Sequence, residues 1–202
     1  MKIINVKNGL SSSDLNLVVD SLRNDGTFIF PTETLYGIGC SILNNKAISK
    51  IYKVKNRNKN KAFIVLISKK EQLYPLISST NEIAEKLMDK YWPGPLSLIF
   101  KKSFLISPLI SNLDTIAIRL TSCEIISNII NKLGTPIIAP SANFEGENPV
   151  SDFSKIDKNI LSQVDIAIDA GIIKNNLKPS TIIDVSQGKL NLLRVGAIDI
   201  EI

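Results

Sequence analysis

Histidine is absent from this sequence of 202 residues, and cysteine occurs only twice. A chain without imidazole cannot build a Ser-His-Asp triad, a histidine general base or a metal site with histidine ligands. Cys40 and Cys123 stand far apart and in no Cys-x-x-Cys spacing. The sequence therefore predicts no disulfide framework and no metal-ligating residues, and we expect both cysteines to be buried as small apolar residues.

Long apolar runs are missing as well. No run approaches the roughly 18–20 residues that a membrane-spanning helix requires. Met1 to Leu10 mix lysine and asparagine with single apolar residues, unlike the apolar stretch of a secretory signal. We therefore expect a cytoplasmic protein without membrane contact. With 44% hydrophobic and 21% charged residues, the composition is that of a globular protein, and we expect one domain over residues 1–202.

Positive charge is in modest excess, with 24 Lys and Arg residues against 19 Asp and Glu residues. The resulting net charge of +5 favours anionic partners such as a nucleotide, pyrophosphate, a carboxylate or RNA phosphate. A solvated surface rich in lysine and asparagine explains the same excess equally well. Charge alone therefore does not choose a function.

Short β-branched runs alternate with helical patterns along the chain. This alternation predicts an α/β fold in which helices flank a twisted, mostly buried, mixed sheet, with functional residues in the connecting loops. The predicted strands are Thr27 to Phe30, Phe63 to Ile67, Leu96 to Phe100, Thr115 to Leu120, Pro136 to Ala139, Asp165 to Asp169, Thr181 to Val185 and Lys189 to Leu193.

Apolar periodicity and capping residues predict the helices between these strands. The predicted helices are Ser13 to Asn24, Lys46 to Tyr52 and Glu124 to Leu133. Ser11 to Ser13 offer N-cap hydroxyls to the first, and Ser122 is the predicted N-cap of the last. Gly134 is predicted to end that last helix, because glycine adopts the left-handed conformation of a helix C-terminus.

Five segments carry residues that a purely structural loop would not need. They are Phe30 to Gly39, Lys53 to Lys61, Tyr91 to Pro95, Ala139 to Asn143 and Lys178 to Thr181. Phe30 to Gly39 lacks the third glycine of a dinucleotide-binding fingerprint. It offers Thr32, Glu33, Thr34 and Tyr36 beside glycines that let a ligand approach the backbone, and an ordinary capped turn is the alternative. Tyr91 to Pro95 is best interpreted as a packed, stiff turn.

The segment Lys53 to Lys61 holds five cations in nine residues. An arginine can grip phosphate oxygens with two hydrogen bonds while lysines act as point charges, so the segment can bind a polyphosphate. A solvated loop or an RNA-contacting patch would have the same composition.

Short polar residues and arginines also stand at predicted strand ends. Ser141 and Asn143 follow a strand that Pro140 ends, and they are rigid donors suited to a phosphate or ribose. Arg119 and Arg194 each place a guanidinium at a strand end. The two arginines suggest two anionic groups.

In combination these segments resemble the YrdC/TsaC family of threonylcarbamoyl-adenylate synthases, and the likeness covers nearly the whole chain. Residues 31–37 are similar to the family's P-T-E-T-x-Y-G motif, and Lys55-x-Arg57 with Ser141-x-Asn143 resembles its split K-x-R…S-x-N motif. The other matching motifs, in the family's order, are Trp92-Pro93-Gly94-Pro95, Ala117-Ile118-Arg119, Pro179-Ser180-Thr181 and Arg194-x-Gly196.

The resemblance implies a role for particular residues. The threonine site implied by it consists of Thr34, Arg119, Ala139 and Ser180. The implied ATP site consists of Lys55, Arg57, Lys61, Thr115, Ser141, Asn143 and Arg194. Lys55, Arg57, Ser141 and Asn143 are the implied catalytic residues.

Three positions depart from the family pattern. Asn58 stands where the family commonly has proline, and Lys61-Ala62-Phe63 replaces an asparagine-proline-leucine of many longer members. Leu66 replaces a histidine that contacts threonine in those longer members. The third departure points to the short, single-domain bacterial type, as does the lack of the longer members' extra C-terminal domain.

The implied reaction condenses L-threonine, bicarbonate and ATP to threonylcarbamoyl-adenylate and pyrophosphate, with Mg²⁺ accompanying ATP. A downstream threonylcarbamoyl-transferase complex would use the product to modify tRNA, and direct contact with tRNA is left open. An RNA-binding module that binds duplex RNA or tRNA without synthase activity is the alternative. Against it, aromatic residues make up only 6% of the chain and so supply few rings on which RNA bases could stack. The related domain of hydrogenase-maturation proteins is a second rival, but it lies in a far larger chain with paired-cysteine zinc fingers.

Overall fold

Ten strands form one mixed sheet in the computed structural model, which describes residues 1–174 and 178–201. The strands are β1 (Lys2–Asn5), β2 (Phe28–Pro31), β3 (Tyr36–Ser41), β4 (Ile64–Ile67), β5 (Leu96–Lys101), β6 (Thr115–Leu120), β7 (Ile137–Ile138), β8 (Ile166–Asp169), β9 (Thr181–Asp184) and β10 (Asn191–Arg194). Their order is β1-β8-β2-β3-β7-β4-β6-β5-β9-β10. The pairs β1–β8, β2–β8, β4–β6 and β5–β9 run parallel, and the other neighbours run antiparallel. The predicted mixed sheet with flanking helices is confirmed.

Helices cover both faces of the sheet. They are α1 (Ser12–Arg23), α2 (Asn45–Val54), α3 (Glu82–Tyr91), α4 (Glu124–Leu133) and α5 (Lys158–Ser162). The apolar faces of α1 and α4 pack with Phe28, Phe30 and Leu66 in one core cluster, whereas α2, α3 and α5 pack with Ile29 and Val65 in the other. Adjacent strand residues join opposite clusters because successive side chains of a strand point to opposite faces.

Most predicted elements agree with the structure to within two residues, and β6 and α4 agree at both ends. The strands β1 and β3 and the helices α3 and α5 were not predicted. Residues 36–39 were interpreted as the end of the connecting segment Phe30 to Gly39, which follows a predicted strand and ends in Gly-x-Gly. The structure buries Tyr36–Ser41 completely as β3 between β2 and β7, so tertiary pairing outweighs the weak local preference of these residues.

The caps of α1 and α4 test three of the sequence predictions. Ser11 is the N-cap of α1, with its hydroxyl accepting from the Asp14 amide, and Gly134 ends α4 at a left-handed φ of 80°. The predicted N-cap Ser122 is wrong. Cys123 occupies that position without a side-chain cap, and the Thr121 hydroxyl accepts a hydrogen bond from the backbone amide of Cys123 at 3.1 Å.

Both cysteines are free thiols. Cys40 is fully buried in β3, and burial raises the pKa of its thiol. Cys123 is only partly buried, which corrects the expectation that both would be inaccessible. In the part of the chain that the structure describes, no helix is both long and apolar enough to cross a membrane.

Gly39 marks the closest backbone approach inside the sheet. A Cβ atom added there would lie 2.1 Å from the carbonyl oxygen of Ile138 on β7 and 2.9 Å from the ring of Phe30 on β2. Backbone atoms cannot yield as a flexible side chain does, so we expect Gly39→Ala to lower the free energy of unfolding by about 3 kcal/mol, the upper end of the usual cost of overpacking. For a chain of this size, that corresponds to a fall in melting temperature of roughly 2–4 °C per kcal/mol, measured by circular dichroism.

Gly188→Ala is the matched control, because Gly188 has a left-handed φ of 69° but nothing within 4 Å of the added Cβ. It should cost only the roughly 1 kcal/mol of an unfavourable backbone conformation. Equal melting temperatures in the two variants would contradict the close approach at Gly39.

Candidate active site

A cleft of about 460 Å³ opens where the β2–β3 turn, the start of β4, the middle of β6 and the segments after β7 and before β9 meet. Its polar lining residues are Thr32, Thr34, Arg57, Arg119, Ser141, Asn143, Glu147, Ser180 and Arg194. Its apolar lining includes Ile64, Ile99, Ala117, Ala139 and Ile182. The cleft therefore combines an apolar floor with a few convergent polar groups, which is the usual composition of a small-molecule site.

The β2–β3 turn is held by the Thr32 hydroxyl. That oxygen donates to the carbonyl of Leu35 at 2.7 Å and accepts from the amides of Thr34 and Leu35 at 3.1 Å each. The Thr34 hydroxyl lies 3.0 Å from it and 3.4 Å from the Arg119 guanidinium. The turn thus presents the Thr34 hydroxyl in a defined position, beside a buried cation.

The Ser141–Asn143 segment lies directly against β3. Gly37 and Ser141 form an isolated antiparallel bridge, and the Ala142 amide donates to the carbonyl of Tyr36 at 2.8 Å. The side-chain Nδ2 of Asn143 donates to the backbone carbonyls of Phe144 and Glu147 at 2.8 Å each. Two motifs that are about a hundred residues apart in the sequence therefore form one wall of the cleft.

Arg119 is a buried cation, with 5% of its surface exposed. Its Nε lies 3.6 Å from Glu33 Oε1, and neither atom has a hydrogen-bond partner. The other carboxylate oxygen of Glu33 accepts from the Thr121 hydroxyl at 2.9 Å. A buried guanidinium whose donors are incompletely used can still bind an anion that enters the cleft.

Arg194 lies on the same cleft, at the end of β10. Its Nε and Nη2 donate to the carbonyl and hydroxyl of Ser180 at 2.9 and 3.1 Å. Burial, and then the positive charge of Arg119, lower the pKa of the Arg194 guanidinium. The two arginines, which we expected at separate strand ends, therefore face one shared cavity and repel each other, so an anion between them would be stabilised by both.

The basic segment is a solvated loop only in part, because Lys53, Lys59 and Lys61 are exposed whereas Lys55 and Arg57 make bonds inside the protein. Lys53 belongs to α2, Lys55 is buried, and the Arg57 guanidinium donates to the carbonyls of Lys61 and Ala62 at 3.2 and 2.8 Å. The same guanidinium lies over the ring of Phe63, 5.0 Å from its centroid. Of the predicted ATP ligands in this segment, Arg57 lines the cleft and Lys55 does not.

Other predicted residues lie outside the cleft lining. Lys61 pairs on the surface with Glu145, and Thr115 lies at the start of β6, where its carbonyl accepts from the Ser111 hydroxyl at 2.7 Å. Leu66 packs on the α1–α4 face of the sheet. Trp92, whose indole donates to the Leu96 carbonyl at 2.7 Å, is likewise absent from the lining.

Sequence reasoning missed several lining residues. Glu147, Pro149 and Ile182 line the cleft but belong to no motif that the sequence marks. Glu147 follows the S-x-N motif by four residues, and no local pattern indicates which way its side chain turns. The predicted residues that the cleft does bring together are Thr34, Arg57, Arg119, Ala139, Ser141, Asn143, Ser180 and Arg194.

Comparison with known proteins matches this arrangement to one family. The family model Sua5_yciO_yrdC, described as "Telomere recombination", matches residues 20–196. This chain belongs to the Sua5/YciO/YrdC family. The family resemblance inferred from the motifs is therefore confirmed, and the matched range includes every residue of the cleft lining.

Individual relatives within the Sua5/YciO/YrdC family differ in length. A threonylcarbamoyl-AMP synthase of Pyrococcus abyssi is 32% identical over 98% of this chain, which spans 58% of that relative's length. A threonylcarbamoyl-AMP synthase of Aliivibrio fischeri is 32% identical over 91% of this chain and 99% of its own length. The crystal structure of P. abyssi Sua5 complexed with L-threonine superposes with a TM-score of 0.92 at 32% identity, covering 97% of this chain and 58% of that one.

Proposed function

We propose that this protein is a threonylcarbamoyl-AMP synthase, which condenses L-threonine, bicarbonate and ATP to threonylcarbamoyl-AMP and pyrophosphate. The observation that carries the proposal is the shared cleft, in which Arg119, Arg194 and Arg57 surround an apolar floor. Two relatives that match most of this chain are named for that activity, and one relative's structure holds L-threonine.

The reaction needs positioned cations rather than a protein nucleophile. The amine of threonine and bicarbonate form a carbamate with loss of water. A carbamate oxygen then attacks the α-phosphorus of ATP, the bond to the bridging oxygen breaks, and pyrophosphate leaves. Nucleotidyl transfer of this kind is accelerated by alignment and by neutralisation of charge. A chain without histidine, but with three arginines in one cleft, suits such chemistry.

The cleft suggests where each substrate lies. Arg119 and Thr34 are adjacent and buried, so we assign them to the carboxylate and hydroxyl of threonine, with Ala139 and Ser180 nearby. Arg57, Ser141 and Asn143 also line the cleft, and we assign them to ATP together with Arg194. A lining that combines apolar and charged residues suits both the methyl group of threonine and the polyphosphate of ATP.

Mg²⁺ enters this reaction with ATP. Mg²⁺ prefers oxygen ligands and is commonly held by substrate phosphates with one or two protein carboxylates. Among the described residues of the lining, Glu147 carries the one carboxylate. Within residues 1–174 and 178–201, no cluster of three or more Cys, Asp or Glu side chains could hold a metal ion. Glu147 can therefore assist a cation that the triphosphate holds, and Mg²⁺ would neutralise charge as pyrophosphate departs.

The alternative, an RNA-binding module without synthase activity, loses part of its support. It relies on the basic segment, and two of the five cations there, Lys55 and Arg57, donate to backbone carbonyls inside the protein, whereas Lys53, Lys59 and Lys61 stay exposed. Transfer of the threonylcarbamoyl group to tRNA by a downstream complex remains a proposal, as does the cytoplasm as the place of the reaction.

Pyrophosphate release tests the proposed function. We expect the purified protein to release pyrophosphate from MgATP only when threonine and bicarbonate are both present, because the nucleophile is the carbamate that they form. The measurement is a coupled pyrophosphate assay with mass spectrometry of the labile AMP-linked product, and each substrate is omitted in turn as a control. Release of ADP, or turnover indifferent to threonine, would exclude the proposed reaction.

A further inference from the structure

Lys55 ends α2, and only 2% of its surface is exposed. Its ammonium donates to the backbone carbonyls of Ser141 and Asn143. Lys55 does not line the cleft, whereas Ser141 and Asn143 do. The lysine therefore contacts the far side of the segment whose near side faces the substrates.

Further bonds join the segment that follows α2 to the segment that follows β7. The amide of Glu145 donates to the Lys55 carbonyl at 3.1 Å, and the carboxylate of Glu145 accepts from the Asn58 amide at 2.6 Å. The second oxygen of that carboxylate pairs with Lys61. The Asn58 bond uses a backbone amide hydrogen, which a proline at this position could not donate.

The chain between Lys55 and Arg57 supports the arrangement. Asn56 adopts a left-handed φ of 49°, a conformation that asparagine tolerates better than most residues. Lys55 then bonds to the Ser141–Asn143 backbone, while Arg57 lines the cleft. The two halves of the split K-x-R…S-x-N motif are in contact through Lys55.

Burial of this ammonium carries an electrostatic cost. Burial, followed by the charge of Arg57, lowers the pKa of Lys55 to about 8, while Glu145 and Glu147 act to raise it. Because the pKa in the fold lies below that of an unfolded lysine, the charged form opposes folding. Its contribution to stability therefore improves as the pH rises from about 8 towards about 10.4. A buried charge kept despite this cost is typical of functional sites.

We propose that Lys55 is a positioning residue, which orients Ser141 and Asn143 by binding their carbonyls and does not itself contact ATP. This inference rests on the proposed synthase function. The two hydrogen bonds restrict the peptide planes that contain the Ser141 and Asn143 carbonyls, and so fix the side chains of these residues, which face the cleft. Small misplacements of such groups are expensive in rate.

Hydrogen exchange tests the positioning without relying on activity. We expect amides of residues 141–147 to exchange faster in Lys55→Met than in the parent protein, as measured by mass spectrometry at pH 7. Lys86→Met is the charge-matched control, since Lys86 is exposed on α3 away from the cleft, and it should leave that exchange unchanged. Unchanged exchange in Lys55→Met would overturn the proposal whether or not the protein is a synthase.

Kinetics separate positioning from a direct contact with ATP. Lys55→Met should lower kcat about tenfold, and the double variant with Ser141→Ala should be no slower than the slower single variant, because both changes disable one unit. Multiplied losses would mean an independent contact of Lys55 with ATP and would overturn the proposal. If exchange rises while kcat is unchanged, the role is merely structural and the proposal also fails. Lys55→Gln removes the charge but keeps an NH2 group with two N–H donors, so it provides a milder variant if the methionine variant does not fold.

The pH profile gives a third readout. In the parent protein, kcat/KM should fall as the pH rises through about 8, because the ammonium loses its charge. The contribution of Lys55 to stability improves in the same pH range, so a purely structural role would not produce this fall. This fall in kcat/KM should be missing in Lys55→Met, and its persistence in that variant would contradict the proposal. If the parent protein itself releases no pyrophosphate, the proposed function fails, and the exchange result still decides the positioning.

Discussion

In the Arg119→Ala variant, we expect the Michaelis constant for threonine to rise about 10- to 150-fold, with a much smaller change for ATP. The guanidinium is buried beside Thr34, where we place the threonine carboxylate. A charge-assisted hydrogen bond contributes about 1.5–3 kcal/mol, and its loss leaves the carboxylate poorly paired. Arg119→Lys should restore only part of the loss, because an ammonium cannot reproduce the planar fork.

Arg194→Ala is the paired variant, and it should show the reverse preference. We expect it to raise the Michaelis constant for ATP more than that for threonine. A smaller effect on threonine should accompany it, because Arg194 donates to both the carbonyl and the hydroxyl of Ser180. Calorimetric titration of each ligand into each variant measures the four affinities. Equal losses for both ligands in both variants would contradict our placement of the substrates, even if the synthase activity were established.

In the Arg57→Ala variant, we expect pyrophosphate release to fall by about 100-fold, and the fold to be weakened as well. Arg57 lines the cleft, where we assign it to the triphosphate, and charge-assisted bonds to phosphate contribute roughly 1.5–3 kcal/mol. The same guanidinium donates to the carbonyls of Lys61 and Ala62 and lies over Phe63. Removing it should therefore also lower the free energy of unfolding by about 1–3 kcal/mol. Pyrophosphate release and urea denaturation measure the two effects.

The expected loss of stability follows from the internal bonds of Arg57, which a fully solvated loop cation would not make. Lys86→Ala is the control, because it removes one exposed cation far from the cleft and should alter neither quantity. Full synthesis in Arg57→Ala, together with weakened RNA binding, would favour the RNA-binding alternative over the proposed function.

Several elements were predictable because their signals are local. The strand Thr115–Leu120 and the helix Glu124–Leu133 agree with the sequence at both ends, since β-branched runs and a helical apolar period are both visible within ten residues. Residues Tyr36–Ser41 were not predictable in the same way. Their glycines are needed because β7 and Phe30 approach closely, and that approach depends on strand order, which no local pattern contains.

The residues of the candidate site were likewise predictable only where a local motif marks them. Motif spacing marked Thr34, Arg119, Ser141 and Arg194, and all four line one cleft. Their grouping is a property of the assembled fold, because residues from the β2–β3 turn, β6, the segment before β9 and β10 line one cleft although several strands separate β3 from β9 in the sheet order. Glu147 could not be predicted, because its position follows from the turn that Asn143 holds through its side-chain amide.

By itself, the sequence determined the α/β fold class, most element boundaries and the family, because local periodicity and short motifs of defined order are written along the chain. Only the tertiary structure decided which cations face the cleft. Lys55 and Arg57 are two residues apart, yet one bonds to the backbone of residues 141 and 143 and the other lines the cavity. The direction of the Lys55 side chain is set by Ser141 and Asn143, which are 86 and 88 residues away along the chain and meet it only once the strands have assembled.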